Sequence, residues 1–152
     1  MENFDVEILL IEDNEYEAEL AIRSLKRSNL TNKLKHIDDG AEALDFIFST
    51  GKYAGRVASF NPKLILLDLK LPRVNGLEIL RRLKSNDATS MIPVVVLTSS
   101  NEEKDKIESY KLGVNSYIVK PVSFESFTKS ITEVGLYWLL LNQNPFDLKI
   151  EK

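Results

Sequence analysis

Three observations predict a doubly wound α/β fold, a five-stranded parallel sheet with helices on both faces. Short apolar runs alternate with helical patterns along most of the chain, and such alternation builds parallel sheets. The runs Leu64-Ile65-Leu66-Leu67 and Val94-Val95-Val96 are too uniformly apolar for a strand with one wet face, so they read as strands buried on both faces. Residues 33–37 alternate polar and apolar as an edge strand does, which suits the strand order 2-1-3-4-5.

Each element has its own warrant. Residues 7–11 form a short apolar strand. Residues 14–28 put Ala18, Ala21, Ile22 and Leu25 on one helical face. The helix at 40–49 carries Ala41, Leu44, Ile47 and Phe48, with Asp39 and Glu42 as an N-terminal capping pair. The stretch 50–61 is long for a connection between helix and strand, and its Gly51, Tyr53, Gly55 and neighbouring Pro62 predict a surface excursion. Strand 63–67 follows, then helix 76–84 through Leu77, Leu80 and Leu83. Strand 93–97 is β-branched. Ser100 and Glu103 form a capping-box pattern that starts a helix running to about Lys111. Strand 115–119 is the fifth, and 123–141 is a long last helix.

A chain of 152 residues, 43% hydrophobic and 28% charged, suits one domain with a substantial core. We expect that domain at 1–141, with 142–152 as a C-terminal arm. A net charge of −3 gives no electrostatic case for binding nucleic acid or an anionic membrane. Without cysteine there is no disulfide and no thiolate chemistry. The N-terminus lacks the basic start and apolar stretch of a signal peptide, and no segment approaches a membrane span. The expectation is a cytoplasmic protein.

In a parallel sheet all strand C-termini share one edge, where such folds place their ligands. Glu12 and Asp13 follow strand one, Asp68 strand three, Thr98 and Ser99 strand four, and Lys120 and Pro121 strand five. Three carboxylates in close quarters raise each other's pKa unless a cation joins them. With no His or Cys among them, this all-oxygen set suits Mg²⁺. Carboxylates, a divalent ion, a hydroxyl and a lysine are the parts for phosphoryl transfer onto an Asp. Asp13 would bind metal directly and Glu12 through water. Asp68 would be ligand and nucleophile, Lys120 would neutralise phosphoryl charge, and Thr98 would hydrogen-bond a phosphoryl oxygen. Glu12 and Asp13 have a plainer reading as helix caps, and Thr98 and Lys120 as solvated loop residues. The ordered set favours the site.

At this point the chain resembles the receiver domain of two-component response regulators. Glu12-Asp13, Asp68 with Leu71-Pro72 and Gly76, Thr98-Ser99 and Lys120-Pro121 match that family's motifs in order, over about residues 6–134. The resemblance implies a flavodoxin-like receiver fold and phosphorylation of Asp68 by a sensor histidine kinase with Mg²⁺. It also implies metal ligation by the backbone carbonyl of Lys70 and a cis peptide before Pro121. Thr98 and Tyr117 match its switch residues, Tyr117 rotating inward once a phosphoryl group draws Thr98. Readout would then run through 101–111, 115–119 and the last helix. The plainer reading of Tyr117 is packing, and of His36 a partly exposed sheet residue. Lys70 stands where the family commonly has an apolar residue, so we expect it to tune dephosphorylation. The loop with Gly51-Lys52-Tyr53 and the apolar C-terminus resemble small stand-alone regulators paired with bacterial phytochromes, which implies a light-sensing kinase.

With no output domain in sight, signalling would need a downstream protein, a second copy or onward phosphotransfer. On the last helix Phe124, Phe127, Ile131, Val134, Trp138 and Leu141 share a face that covers the sheet. Leu136, Tyr137, Leu139 and Leu140 lie off it and, with Phe146 of the arm, predict a homodimer interface. Phe146, Leu148 and Ile150 alternate with polar residues as in a half-buried extended arm. Other functions fit less well. The chain could relay phosphate to a His phosphotransfer protein. An aspartyl-phosphate-forming phosphatase would want an acid two residues after the nucleophile, where Lys70 stands. A flavin module would want a phosphate-cradling loop where Glu12-Asp13-Asn14-Glu15 stands. A receiver-like protein unable to take phosphate would lack pocket residues that are all present here. The expectation is a phosphoacceptor signalling module that is no conventional enzyme.

Overall fold

The structure is a computed structural model describing residues 6–28, 33–56 and 61–147. Five parallel strands lie in the order 2-1-3-4-5: β1 (Ile8–Ile11), β2 (Leu34–Ile37), β3 (Leu64–Leu67), β4 (Val94–Thr98) and β5 (Ser116–Val119). Between and after them come α1 (Glu15–Arg27), α2 (Gly40–Phe48), α3 (Gly76–Ser85), α4 (Glu103–Lys111) and α5 (Phe124–Leu136). The three central strands are fully buried and β2 is half-exposed at the edge, as the sequence predicts.

Alternation along the strands divides the core in two. Leu9, Ile11, Ile65, Leu67, Val94 and Val96 pack with Phe46 of α2 and Ile79, Leu80 and Leu83 of α3. Ile8, Leu10, Leu64, Leu66, Val95 and Leu97 pack with Ala18, Ala21 and Leu25 of α1 and with Phe127 and Ile131 of α5. Side-chain caps start four of the five helices: Asn14, Asp39, Asn75 and Ser123 each accept the N–H three residues on.

Several local expectations are corrected. Ser100 does not cap a helix: α4 begins at Glu103 after Glu102, without a side-chain cap, and the Ser100 hydroxyl, two residues before that cap position, accepts the Glu102 N–H at 3.4 Å while donating to Asp105 at 2.5 Å. Residues 50–56 are not a bare surface excursion. Residues Gly51–Tyr53 form a 3₁₀ turn, and Tyr53 and Arg56 are buried. Tyr53 stacks edge-on to Phe46 and donates to Glu42, while Arg56 donates to the Phe46 carbonyl at 2.7 Å.

The last helix changes phase. After α5 the chain continues as a π turn, Tyr137–Leu141, closed by the Asn142 N–H on the Tyr137 carbonyl. The wider turn shifts the apolar stripe by about one residue. Leu139, expected off the face, packs against the α1/α5 core with Val134 and Trp138. Leu141, expected on the face, is 73% exposed, and Phe124 at the first helical position is 54% exposed. Leu148 and Ile150 of the expected arm lie outside the described residues. Among the described residues no helix is long and apolar enough to cross a membrane.

Candidate phosphoacceptor and metal site

The sheet's C-terminal edge assembles the site from backbone outward. Asp68 continues the ladder, its N–H donating to the Ile11 carbonyl at 3.0 Å, and Glu12 does the same to Ile37 at 3.0 Å. His36 on the edge strand bonds the Glu12 carbonyl through Nε2 at 2.8 Å. The loop after Asp68 is clamped by two glycines. A Cβ on Gly76 would lie 2.3 Å from the Asp68 carbonyl oxygen, and one on Gly40 would lie 1.8 Å from that of Val74. Only hydrogen at these positions lets α2 and α3 close on residues 69–75. Arg73 inside that loop takes a left-handed backbone, φ 65°, and donates to Asp39 at 2.6 Å.

Lys120 reaches back from the end of β5. Its ammonium donates to Glu12 and Glu17 at 2.5 Å each and to Asp68 at 3.1 Å. The side chain is only 6% exposed. Every peptide bond among the described residues is trans, so the expected cis bond before Pro121 is absent. The two isomers of an X-Pro bond differ by only about 0.5–1 kcal/mol, which leaves the choice to the surroundings. Here the Lys120 N–H stays in the ladder with the Thr98 carbonyl at 2.8 Å while the ammonium reaches its carboxylates.

Oxygens of Glu12, Asp13 and Asp68 converge within 4.8 Å of one another. Glu12 and Asp68 are buried and Asp13 is exposed beside Leu69, Lys70 and Leu71 at the mouth. Burial pushes Glu12 up to about 8, against its hydrogen bond from Lys120 and with help from the Asp68 charge. Burial also pushes Asp68 up, but the Lys120 charge and hydrogen bonds with Glu12, Thr98 and Lys120 outweigh it and hold Asp68 below the usual carboxylate range. Glu12 therefore holds its proton more tightly than an ordinary carboxyl, and Asp68 less tightly. For Lys120 burial is the largest influence and pulls down, yet Glu12, Glu17 and Asp68 together raise it. Two buried carboxyls with a third at an open mouth, all oxygen donors and within 4.8 Å of one another, fit a hard divalent cation.

Thr98 is fully buried between Asp68 and the loop, its Oγ1 accepting from the Ser100 N–H at 3.4 Å. Tyr117 is half-buried, and its hydroxyl donates to the Ser100 carbonyl at 2.9 Å. Lys70 is exposed, its N–H pointing at Asp68 Oδ1 from 3.4 Å. All the residues expected at this edge are there. Glu17 was missed. The pattern Asn14-x-x-Glu17 reads as a capping box, and Asn14 does accept the Glu17 N–H at 2.9 Å. The return bond is made by Glu12 instead, at 3.2 Å, which leaves the Glu17 carboxylate to Lys120. Asp105 was also missed; it lines the mouth with Asp13 and Lys70.

Comparison with known proteins points to one family. The response regulator receiver domain family matches residues 8–132. The protein named "Probable methanogenesis regulatory protein FilR2" of Methanothrix harundinacea is 40% identical over 138 residues, covering 91% of this chain and 86% of that one. Response regulator Rcp1 of Synechocystis sp. is 39% identical over 132 residues, 87% and 88% of the two chains. Its Mn²⁺-bound crystal structure superposes with a TM-score of 0.85 at 38% identity, over 91% of this chain and 97% of that one. The phosphorylated cyanobacterial phytochrome response regulator RcpA does so at 0.85 and 36% identity, over 91% and 96%. Family match, sheet order and the convergence of Glu12, Asp13, Asp68, Thr98 and Lys120 agree, and the chain belongs to the response regulator receiver domain family.

Proposed function

We propose that this protein is a phosphoacceptor whose Asp68 receives a phosphoryl group from a sensor histidine kinase with Mg²⁺ bound, and whose α4–β5–α5 surface reports the change. One observation carries the reading: Asp68 just after β3 and Lys120 just after β5 meet in a buried pair at 3.1 Å, and Asp68 converges with Glu12 and Asp13 within 4.8 Å at the same sheet edge. Asp13, Asp68, the Lys70 carbonyl and, through water, Glu12 would hold Mg²⁺. The ion supplies neutralisation of phosphoryl charge.

The chain's own part follows from its geometry. An Asp68 oxygen forms a bond to phosphorus as the phosphorus–nitrogen bond of the donor phosphohistidine breaks, and the imidazole leaves with the electron pair. Lys120 meets the charge on the transferred oxygens. Thr98 donates its hydroxyl to one of them. Drawing Thr98 inward opens space beside Tyr117, whose bond to the Ser100 carbonyl is the restraint on its rotation. The likeness to the phytochrome response regulator RcpA supports a phytochrome-class light sensor as the cognate kinase. We place the receiver domain at 1–141 and the arm at 142–152.

Leu136, Tyr137, Leu140 and Phe146 are 40 to 63% exposed and form the homodimer surface of this reading, without Leu139, which faces the core. The decisive test is intact mass after incubation with a small phosphodonor. Wild type gains one phosphoryl group only with Mg²⁺, and Asp68→Asn gains none. A phosphoryl gain in Asp68→Asn would end the reading. Light scattering that finds only monomer, phosphorylated or not, would remove the dimer.

A further inference from the structure

An ammonium has three protons to give, and Lys120 gives one each to Glu12, Glu17 and Asp68. The bond to Asp68 is the longest, 3.1 Å against 2.5 Å for the other two. Glu17 is unlike its companions. Its side chain is 32% exposed, against 5% for Glu12 and 9% for Asp68. It also stands outside the set of carboxylates that converge on a common point. Its backbone is pinned by the Asn14 cap at the start of α1, so only the side chain need move to let Lys120 go. Glu17 has no place in metal binding, and its charge adds to a negative pocket that must admit an anionic phosphodonor.

We infer that Glu17 is a positioning residue that tethers the Lys120 ammonium away from Asp68 and so restrains phosphoryl transfer until it swings out to water. The inference rests on the reading that Asp68 accepts the phosphoryl group. With acetyl phosphate, an Asp68 oxygen bonds to phosphorus, the bond from phosphorus to the acyl oxygen breaks, and acetate leaves with the pair, no proton being required. What Lys120 contributes is a free N–H for the oxygens on phosphorus. While Glu17 is in place, that N–H is already taken.

The test is the initial rate of phosphorylation by acetyl phosphate at saturating Mg²⁺, followed by intact mass in wild type, Glu17→Ala and Glu17→Gln. Calorimetry of Mg²⁺ binding is run on all three. Removing a charge a few ångströms from the donor, and the tether with it, should speed Glu17→Ala by about threefold to tenfold at the effective dielectric of a protein surface. Glu17→Gln keeps the acceptor oxygen and the size, so its rate should lie between the other two. Mg²⁺ affinity should fall by no more than the factor the lost charge sets, since Glu17 lies outside the converging carboxylates. A Glu17→Ala rate equal to or below wild type overturns the proposal. So does Glu17→Gln as fast as Glu17→Ala, since charge alone would then explain the gain. If wild type itself takes no phosphoryl group, it is the assignment of Asp68 that falls.

Discussion

Two partly buried lysines stand at opposite edges of one sheet and do different work. Lys120, at the C-terminal edge, is surrounded by the carboxylates of Glu12, Glu17 and Asp68. Lys84, at the end of α3, reaches under the N-terminal edge. It donates to the carbonyls of Ser90 and Ile92 at 3.0 and 2.8 Å and to Asn115 at 3.2 Å. Asn115 in turn accepts the first N–H of β4 at 2.8 Å. Both ammonium groups are fully hydrogen-bonded. The carboxylates raise Lys120, whereas burial brings Lys84 down to about 8. A shell of neutral oxygens makes a lysine a bolt between helix and strands. A shell of charged oxygens makes it part of a site whose electrostatic balance changes when another charge arrives.

The sharpest way to break this comparison is at Lys120. In Lys120→Met three carboxylates lose their counter-charge, and breaking a buried pair costs roughly 3 kcal/mol. Phosphorylation should be slowed severely. Because a divalent ion answers the same unmet charge, Mg²⁺ should raise the urea midpoint of Lys120→Met more than that of wild type. Equal Mg²⁺ stabilisation of the two proteins would mean that the lysine and the metal do not balance the same carboxylates.

At Lys84 the expectation reverses. Lys84→Met leaves two partly buried carbonyls and the Asn115 side chain short of a donor, a loss of about 1–2 kcal/mol. Urea unfolding should show that loss with or without Mg²⁺. The phosphorylation rate should match wild type, because the nearest strand ends lie at the wrong edge. A Lys84→Met protein that folds normally yet phosphorylates slowly would show that the two edges are coupled. Asn115→Ala should cost less, about 1 kcal/mol, because Lys84 keeps its two carbonyls and only the Val94 N–H loses its partner.

The two lysines also mark what the sequence could and could not reveal. Lys120 was legible because strand order alone brings it to Asp68, and a charged residue at the end of an apolar strand stands out. Lys84 sits in a polar helix end where an exposed lysine is the default, and only the fold of residues 90–92 and 115 makes it a bolt. Glu17 was hidden in the same way, since Asn14-x-x-Glu17 satisfies a local rule that the pocket overrides. The strands β1, β3 and β4 could be read from the period and apolarity of their side chains. The phase of the last helix could not, because a π turn at Tyr137–Leu141 follows from packing and carries no sequence mark. The trans bond before Pro121 likewise depends on surroundings that no local pattern encodes.

The smallest effect separates the lysines by pH. The folded-state pKa of Lys84, about 8, lies below the ordinary 10.5. Between those values the unfolded chain binds more protons than the folded one, so stability rises with pH across that window. This contribution is fully present above 10.5 and is lost as the pH falls through 8. Tyr117 works against it, since burial pushes its phenol up, so wild type must be read against Lys84→Met. Water at this partly exposed amine screens the effect, leaving about 1 kcal/mol or less. Urea midpoints at pH 7.5 and 9.5 should show the gap between wild type and Lys84→Met widening at the higher pH. A gap that narrows instead would mean that the ammonium itself, bound by its carbonyls, is the favoured form, and Lys84 would then resemble Lys120 more closely than its neutral shell implies.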